Sequence, residues 1–260
     1  MNKQANSVMR RAILLLLLLG SAPLAQSQVL NVYIGQGQMP FADGTPARPG
    51  IFAELMQVLC VRAGFDCRMR KVPWRRVLSE AQDDPQAVVL NMGRIAEREH
   101  AFLWLLNVLP TAYVLASTQQ AYDTLEQALH AGPVAVMSGT PRAHELRSMR
   151  QPGREVVEVT DPEQAAHLMR VGRLAAWYEI DLRISYLWRR LGNAGQPLLT
   201  GQAIATTHSY IAANLALENA ADVQERLNTE FRAMHADGSW RVILEHYLPP
   251  EGVEHLLRAR

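Results

Sequence analysis

The chain has 260 residues, of which 48% are hydrophobic and 20% are charged, and its formal net charge at pH 7 is +1. This apolar fraction is sufficient for a hydrophobic core, and the length allows one large domain or two modest ones. The small net charge argues against a nucleic acid or an acidic membrane surface as the partner.

The first 25 residues have the three parts of a secretory signal peptide. An unbroken apolar run at 12–19 is preceded by the basic residues Lys3, Arg10 and Arg11. A membrane anchor is the alternative, but the run is much shorter than the ~20 apolar residues that span a bilayer. We expect cleavage after Ala25, with Ser27 as the alternative, and export to the periplasm. Removal of the three basic residues changes the formal charge from +1 to −2.

The two cysteines, Cys60 and Cys67, are separated by six residues. Export places them in an oxidising compartment, where a pair of cysteines is usually bridged. We therefore expect a disulfide, with two buried thiols as the alternative. A metal site is not expected, because two cysteines do not complete a zinc coordination shell.

The chain after the leader alternates strands with helices. Runs of β-branched residues bounded by turn residues predict strands, and apolar spacings of three and four residues predict helices. In the first block the predicted strands are 29–34, 67–72 and 87–90, and the predicted helices are 51–63 and 74–82. This order is typical of a parallel sheet covered on both faces.

The same order resumes in a second block, with predicted strands at 114–117, 134–137, 156–159, 174–178 and 209–213. Three helices have recognisable start signals, which are a capping box at Asp123–Glu126, Thr140–Pro141 and Asp161–Pro162. Further helices are predicted at 181–191, 222–236 and 240–247.

The common catalytic motifs are not found. Ser138 lacks the flanking glycines of a nucleophile elbow, and His144-Glu145 lacks the second histidine of a zinc-protease helix. Gly35-Gln-Gly37 has neither the third glycine of a dinucleotide motif nor a Walker lysine, and a loop turn is the better interpretation. These observations lower the expectation of an enzyme.

Seven short features occur in a particular order along the chain. They are Met39-Pro-Phe41, Gly50-Ile-Phe52, Val72-Pro-Trp74, Arg94-Ile-Ala-Glu-Arg-Glu99 with Phe102-Leu-Trp104, Val136-Met-Ser-Gly-Thr140, Gly172-Arg173, and Ala236-Asp-Gly-Ser-Trp240 with His246-Tyr-Leu248. In this order and spacing, the chain from 29 to 248 resembles the family 3 extracellular solute-binding proteins, the polar amino-acid receptors of bacterial ABC transporters.

The resemblance implies an α/β clamshell of two lobes, each a mainly parallel sheet flanked by helices. The first lobe would comprise 26–113 and the return segment 205–260, and the second lobe 114–204. Two extended crossovers, near 114–117 and 199–205, would form the hinge. Proteins of this kind close around a ligand held between the lobes.

The resemblance assigns the ligand's α-carboxylate to Arg98. A planar guanidinium presents two parallel donors to a carboxylate, and the pair is strongest where water is excluded. A surface arginine paired with Glu97 or Glu99 is the alternative. Arg94 is a second candidate, with solvent exposure as its alternative.

Other positions are assigned to the ligand by the same resemblance. Asn91 and Gly93 would contribute side-chain and backbone groups, and Thr140 would add a hydroxyl at a helix N-terminus. Trp74 would form a flat apolar wall, unless it packs in the core. Of Trp177 and Tyr178, strand alternation allows only one to point into the cleft.

The resemblance gives no direct match for the group that would bind an α-ammonium. The position where relatives carry an aspartate is Ile180, with Glu179 and Asp181 on either side. A shift of one residue would restore a carboxylate. Gln38 stands where relatives often have an aromatic ring, and Phe41 is expected to pack within the first lobe.

The predicted function is that of a monomeric periplasmic receptor rather than an enzyme. Its ligand would be an amino acid or a related small carboxylate, delivered to an ABC transporter permease or a membrane sensor, without a cofactor, a metal or nucleic acid. The alternative is an enzyme on the same scaffold, similar to the periplasmic cyclohexadienyl dehydratases, which remove water and carbon dioxide from prephenate or arogenate. Glu179 or Asp181 could then act as the general acid.

Overall fold

The computed structural model describes residues 27–43, 45–149, 151–193, 195–196 and 198–258. The predicted signal peptide lies outside the described residues. Those described form a nine-stranded mixed sheet with the strand order β2-β1-β3-β9-β4-β7-β5-β6, and β8 pairs with β4. The strands are β1 Val29–Gly35, β2 Asp66–Val72, β3 Ala87–Gly93, β4 Leu103–Ser117, β5 Val134–Met137, β6 Val156–Val159, β7 Ala176–Ile180, β8 Leu199–Thr200 and β9 Ala205–Ala213. Helices cover the sheet, so the predicted two-lobe α/β architecture is confirmed.

The first lobe is built on three parallel strands. β1 lies between β2 and β3, with Val29 opposite Asp66 and Asn31 opposite Ala87. Its flanking helices are α1, Ile51–Ala63, and α2, Trp74–Asp83. The core between them is formed by fully buried side chains of β1 and α1, including Leu30, Val32, Leu55 and Leu59.

Glycines set both ends of α1. Gly50 has φ 97°, and a Cβ there would lie 2.7 Å from the backbone of Phe41 and Ala42. Gly64 ends the helix with φ 70°, and its N–H donates to backbone carbonyls of the last turn. Both positions therefore require a residue without a Cβ.

Cys60 at the end of α1 and Cys67 in β2 form a disulfide, with Cα atoms 6.1 Å apart. The helix turns at Gly64 directly into the strand, which brings the two cysteines together. The predicted disulfide is therefore present.

The second lobe is built on the parallel strands β7, β5 and β6, with Val134 opposite both Val156 and Ala176. Its helices are α3 Leu125–Ala131, α4 Pro141–Ser148, α5 Pro162–Arg170 and α6 Asp181–Arg190. Thr140 and Asp161 cap α4 and α5 as predicted, each accepting a hydrogen bond from a backbone N–H of the first turn.

The predicted capping box of α3 is wrong by one residue. Thr124 caps the helix by accepting from the backbone N–H of Gln127, and the Gln127 side chain accepts from the N–H of Asp123. Asp123 and Thr124 are both good N-cap residues, and both are followed three positions later by a residue that can reach back. The sequence pattern therefore fitted either register.

Two long antiparallel strands join the lobes. β4 and β9 pair from Leu103–Ala213 to Tyr113–Ala205, and β4 then continues beside β7 in the second lobe. Only the last four residues of β4 and the last five of β9 were predicted as strand, because polar residues and Pro110 interrupt the apolar pattern of these segments. The sheet is therefore continuous from one lobe to the other.

The chain ends with helices that pack on the first lobe. They are α7 Ala220–Ala236, α8 Ser239–Glu245 and α9 Pro250–Arg258. The helix predicted at 240–247 ends at Glu245, and α9 was not predicted because Pro249 and Pro250 indicated the end of regular structure. None of the described helices is long and apolar enough to cross a membrane.

Candidate functional site

The carboxyl ends of four strands meet between the lobes. Gln38 follows β1, Gly93 ends β3, Thr140 follows β5 and Ile180 ends β7. In open α/β sheets, ligands bind at this edge. A small cavity of about 40 Å³ lies here, lined by residues of both lobes and of the connecting strands β4 and β9.

Six of the ten residues that the sequence assigned to the ligand line this cavity. They are Gln38, Trp74, Asn91, Gly93, Arg98 and Thr140. The structure places the other four, Arg94, Tyr178, Glu179 and Asp181, outside the lining.

Arg98 enters the cavity from the first lobe. It is the last residue of a 3₁₀ helix, Ala96–Arg98, and two residues separate this helix from the end of β3. Its Nη1 donates to the carbonyl of Gly93 at 3.3 Å. Burial lowers the pKa of the guanidinium, and the Arg142 guanidinium adds to that effect. Among the described residues no carboxylate forms an ion pair with Arg98, so its positive charge is available to a ligand.

Arg94 lies on the outer surface instead. Its Nε donates to Glu99 at 2.9 Å, and its Nη2 also contacts this carboxylate. Its guanidinium lies over the rings of Trp104 and Tyr210, at 5.3 and 5.5 Å from their centroids. The hydrogen bond to Glu99 raises the pKa of Arg94. The guanidinium of Arg94 thus already has a carboxylate partner within the protein.

The remaining first-lobe residues form the wall and floor. Trp74, at the start of α2, is half-buried, and the Gly35 backbone lies so close to its ring that a Cβ there would be 2.6 Å away. Trp74 therefore packs within the first lobe and also lines the cavity. Asn91 is buried with φ 56°, and its Oδ1 has no hydrogen-bond partner in the part of the chain that the structure describes.

A buried ion cluster forms the second-lobe side. Oε1 of Glu179 accepts from Arg142 Nη2 at 2.6 Å, from Arg183 Nη1 at 3.2 Å and from the Ile180 N–H at 2.8 Å. The three charged side chains are 0–4% exposed. Desolvation alone would raise the pKa of Glu179, but Arg142 and Arg183 outweigh it and lower the pKa. The carboxylate is therefore held ionised by two arginines.

Arg142 and Arg183 were not identified from the sequence, although both line the cavity. Arg142 follows the Thr140-Pro141 start of α4, and its guanidinium lies 4.6 Å from the ring centroid of Tyr113. Arg183 lies four residues after Glu179, a spacing that on a helix indicates an ordinary surface ion pair. The lining also includes Tyr113, Met137, Pro141, Ile180 and Ser209.

The residues next to Ile180, the position where relatives carry an aspartate, do not line the cavity. Asp181 begins α6, where its Oδ1 accepts from the Leu182 N–H at 2.7 Å, and burial raises its pKa. Tyr178 donates to Glu145, and Trp177 is fully buried in the core, so neither aromatic residue lines the cavity. Ile180 alone of these neighbours does.

Thr140 uses its hydroxyl locally. Oγ1 donates to the Met137 carbonyl at 2.6 Å and accepts from the Ala143 N–H at 3.3 Å. The residue thus fixes the start of α4 and, with it, the position of Arg142. Phe41, as expected, is fully buried in the first lobe, and its ring faces the Arg183 guanidinium at 5.3 Å.

Solved structures with the same architecture match nearly the whole described chain. A histidine kinase sensor domain with similarity to periplasmic binding proteins has a TM-score of 0.71 at 16% identity, covering 86% of this chain and 97% of that chain. The fold is that of the periplasmic binding proteins. The GluR0 ligand-binding core from Nostoc punctiforme, in complex with L-glutamate, has a TM-score of 0.70 at 14% identity and covers 86% and 100%.

A third match is a periplasmic His/Glu/Gln/Arg/opine family-binding protein from Silicibacter pomeroyi in complex with lysine, with a TM-score of 0.65 at 19% identity, covering 84% and 96%. No family model and no curated protein matches the chain. At these identities the likeness to periplasmic binding proteins concerns the fold, and the predicted resemblance is confirmed at that level.

Proposed function

We propose that this chain is a secreted solute-binding protein that encloses a small carboxylate ligand between its two lobes. The observation that carries the proposal is the cavity at the strand ends, where Arg98 from one lobe and Arg142 from the other face the same space. Closure would bring both guanidinium groups onto one ligand and remove water from around them, which strengthens charge-assisted hydrogen bonds.

The hinge supports the same proposal. We take 26–113 with 205–260 as the first lobe and 114–204 as the second, so that β4 and β9 carry the movement. A ligand that contacts both lobes only in the closed form shifts the population toward closure by its differential affinity. A protein of this kind signals that ligand is bound, because a membrane partner can distinguish its closed form from its open form.

The compartment and the partner are part of the proposal. The basic and apolar leader at 1–25 favours export to the periplasm. The matched structures include a histidine kinase sensor domain and a putative L-cystine ABC transporter from Listeria monocytogenes. A transporter permease and a membrane sensor are both suitable receivers of the closed form, and we propose that the exported protein is a monomer.

Export is tested by expressing the full chain in a Gram-negative host and determining the N-terminus of the periplasmic fraction by mass spectrometry. We expect an N-terminus directly after Ala25 or Ser27. Retention of the intact chain in the cytoplasm would contradict export.

The binding role is tested on the exported protein by a thermal-shift screen against amino acids, mono- and dicarboxylates and polyamines. A ligand at a hundredfold excess over its dissociation constant stabilises the fold by about 2.7 kcal/mol. We expect at least one carboxylate to raise the melting temperature and to be recovered unchanged. No shift with any compound would contradict the proposal.

The same screen separates the receptor from an enzyme. A further fold match is the ancestral amino acid-binding protein AncCDT-1, a precursor of cyclohexadienyl dehydratase, at 14% identity. An elimination needs a general acid within hydrogen-bond reach of the leaving group, whereas Glu179 and Asp181 both lie outside the cavity lining. Chromatography of the samples that contain prephenate measures whether it is consumed. Its consumption would replace the receptor role with an enzymatic one.

A further inference from the structure

The charges around the cavity are unbalanced. Among the described residues that line it are three arginines, Arg98, Arg142 and Arg183, and no aspartate or glutamate. Glu179 lies behind Arg142 and Arg183 and contacts both through one oxygen. The buried Arg142 and Arg183 therefore share one carboxylate, and Arg98 has only the exposed Glu97 as a nearby negative charge.

This imbalance is costly without a ligand. Arg142 and Arg183 are 4% and 1% exposed, so bulk water does not solvate their positive charges. Buried charges are normally paired, because an uncompensated charge in a dry interior is strongly unfavourable. The arginine pair of the second lobe therefore lacks one buried counter-charge, and Arg98 lacks an ion-pair partner among the described residues.

An ammonium group has no suitable position in the same cavity. The carboxylate expected at position 180 is replaced by the apolar Ile180, which lines the cavity. The Gln38 side-chain oxygen already accepts from Arg183 at 2.5 Å. The buried Asn91 Oδ1 lacks a partner and suits a neutral donor such as a hydroxyl. A positive group would instead be repelled by three guanidinium groups.

We propose that the ligand is a small organic dicarboxylate that carries no ammonium group, with one carboxylate on Arg98 and the other on Arg142 and Arg183. This inference rests on the proposed solute-binding function and names its ligand class. A bidentate guanidinium contact at each end would neutralise both excess charges and fix the length of the ligand.

Entry of this ligand requires the lobes to separate. A space of about 40 Å³ holds only a few water molecules. In the structure Arg183 of the second lobe contacts the Gln38 side chain and the Met39 carbonyl of the first. The dicarboxylate would enter the open cleft. When the lobes close, its carboxylate would replace some of the contacts that Arg183 makes with Gln38 and Met39.

The experiment compares pairs of ligands that differ at the α-carbon. Isothermal titration calorimetry of the exported protein measures succinate against L-aspartate and 2-oxoglutarate against L-glutamate. We expect the amino-free member to bind at least about tenfold more tightly, since the ammonium is repelled in a cavity of low dielectric constant. Monocarboxylates and inorganic phosphate complete the panel and are expected to bind more weakly than the dicarboxylate.

A pair of variants tests the placement. Ile180→Asp inserts a carboxylate into the lining, and Ile180→Asn is the uncharged control of the same size. Ile180 is the N-cap of α6, a position that favours both replacements. Relative to Ile180→Asn, Ile180→Asp should weaken the dicarboxylate at least about tenfold and bind the amino-bearing partner better.

The outcomes distinguish this inference from the proposal on which it rests. Tighter binding of the amino acids, or binding of phosphate or a monocarboxylate in preference to every dicarboxylate, would overturn the ligand class and leave a solute-binding protein. Equal dicarboxylate affinity in the two Ile180 variants would overturn the placement. Absence of binding across this panel and in the thermal-shift screen, polyamines included, would overturn both.

Discussion

Arg183 Nη2 donates a hydrogen bond to the side-chain oxygen of Gln38 at 2.5 Å, and this bond joins the two lobes across the cleft. Arg183 belongs to α6 of the second lobe, and Gln38 follows β1 of the first lobe. Both side chains are buried, at 1% and 4% exposure. The two lobes thus contact each other directly through buried side chains.

Removal of this contact should open the unliganded protein. For Gln38→Ala we expect a larger radius of gyration in small-angle X-ray scattering and a stability loss of about 1–3 kcal/mol, since a hydrogen bond to a buried charge is lost. The control is Gln57→Ala at an exposed position of α1. Indistinguishable scattering curves for Gln38→Ala and the unmodified protein would show that the contact does not hold the lobes.

Arg98 and Arg94 provide a matched pair within one motif. Arg98→Ala should weaken ligand binding about 30-fold or more, because truncation of one partner of a buried charge pair costs about 2–5 kcal/mol. Arg94→Ala should retain the affinity, since Arg94 pairs with Glu99 on the surface. Calorimetry with the best ligand of the screen measures both. The reverse order of effects would transfer the anchor role to Arg94.

Glu179 should make stability depend on pH. Its pKa is lowered in the folded protein, so its stabilising contribution is complete above the unfolded value of about 4.3 and is lost as the pH falls through the folded value. Glu179→Gln should lower the free energy of unfolding at pH 7 by about 3–5 kcal/mol, because it leaves two buried arginines unpaired.

The measurement is urea unfolding at pH 7 and at acidic pH. Glu179→Gln should lose less stability on acidification than the unmodified protein. The control, Glu158→Gln, removes the exposed Arg147–Glu158 pair and should cost at most about 1 kcal/mol. An equal acid sensitivity with and without Glu179 would contradict the assignment.

The disulfide should be closed in the exported protein. A thiol reagent should label no cysteine in the urea-unfolded, unreduced chain and two after reduction, because Cys60 and Cys67 are bridged and the sequence contains no other cysteine. Reduction should lower stability by about 2–3 kcal/mol, the loop-closure value for a short loop. Labelling before reduction would show that the bridge does not form on export.

Features with a local cause could be predicted from the sequence. Thr140 and Asp161 cap their helices through their own backbone neighbourhood. The cysteine pair follows from a helix that ends at Gly64 and turns directly into the next strand. Such features need no knowledge of the rest of the fold. Where two local solutions were equivalent, as at Asp123 and Thr124, the sequence pattern could not choose between them.

The second-lobe half of the site has no such local cause. Arg142 follows a helix start, and Arg183 follows Glu179 at a spacing found on many exposed helices. Glu179 is buried because β7 packs between β4 and β5 in the sheet. In this buried position its carboxylate pairs with both arginines. Periodicity reports which residues share a face, but not which charged residues the fold will enclose.

The pairing of β4 with β9 has a mechanical consequence. The ladder runs from Leu103–Ala213 to Tyr113–Ala205, with register shifts in its first-lobe part. A hydrogen-bonded ribbon of two strands is stiffer than two separate strands, so we expect the connection to restrict twisting of one lobe against the other. We therefore expect the lobes to return to the same relative orientation after each opening of the cleft.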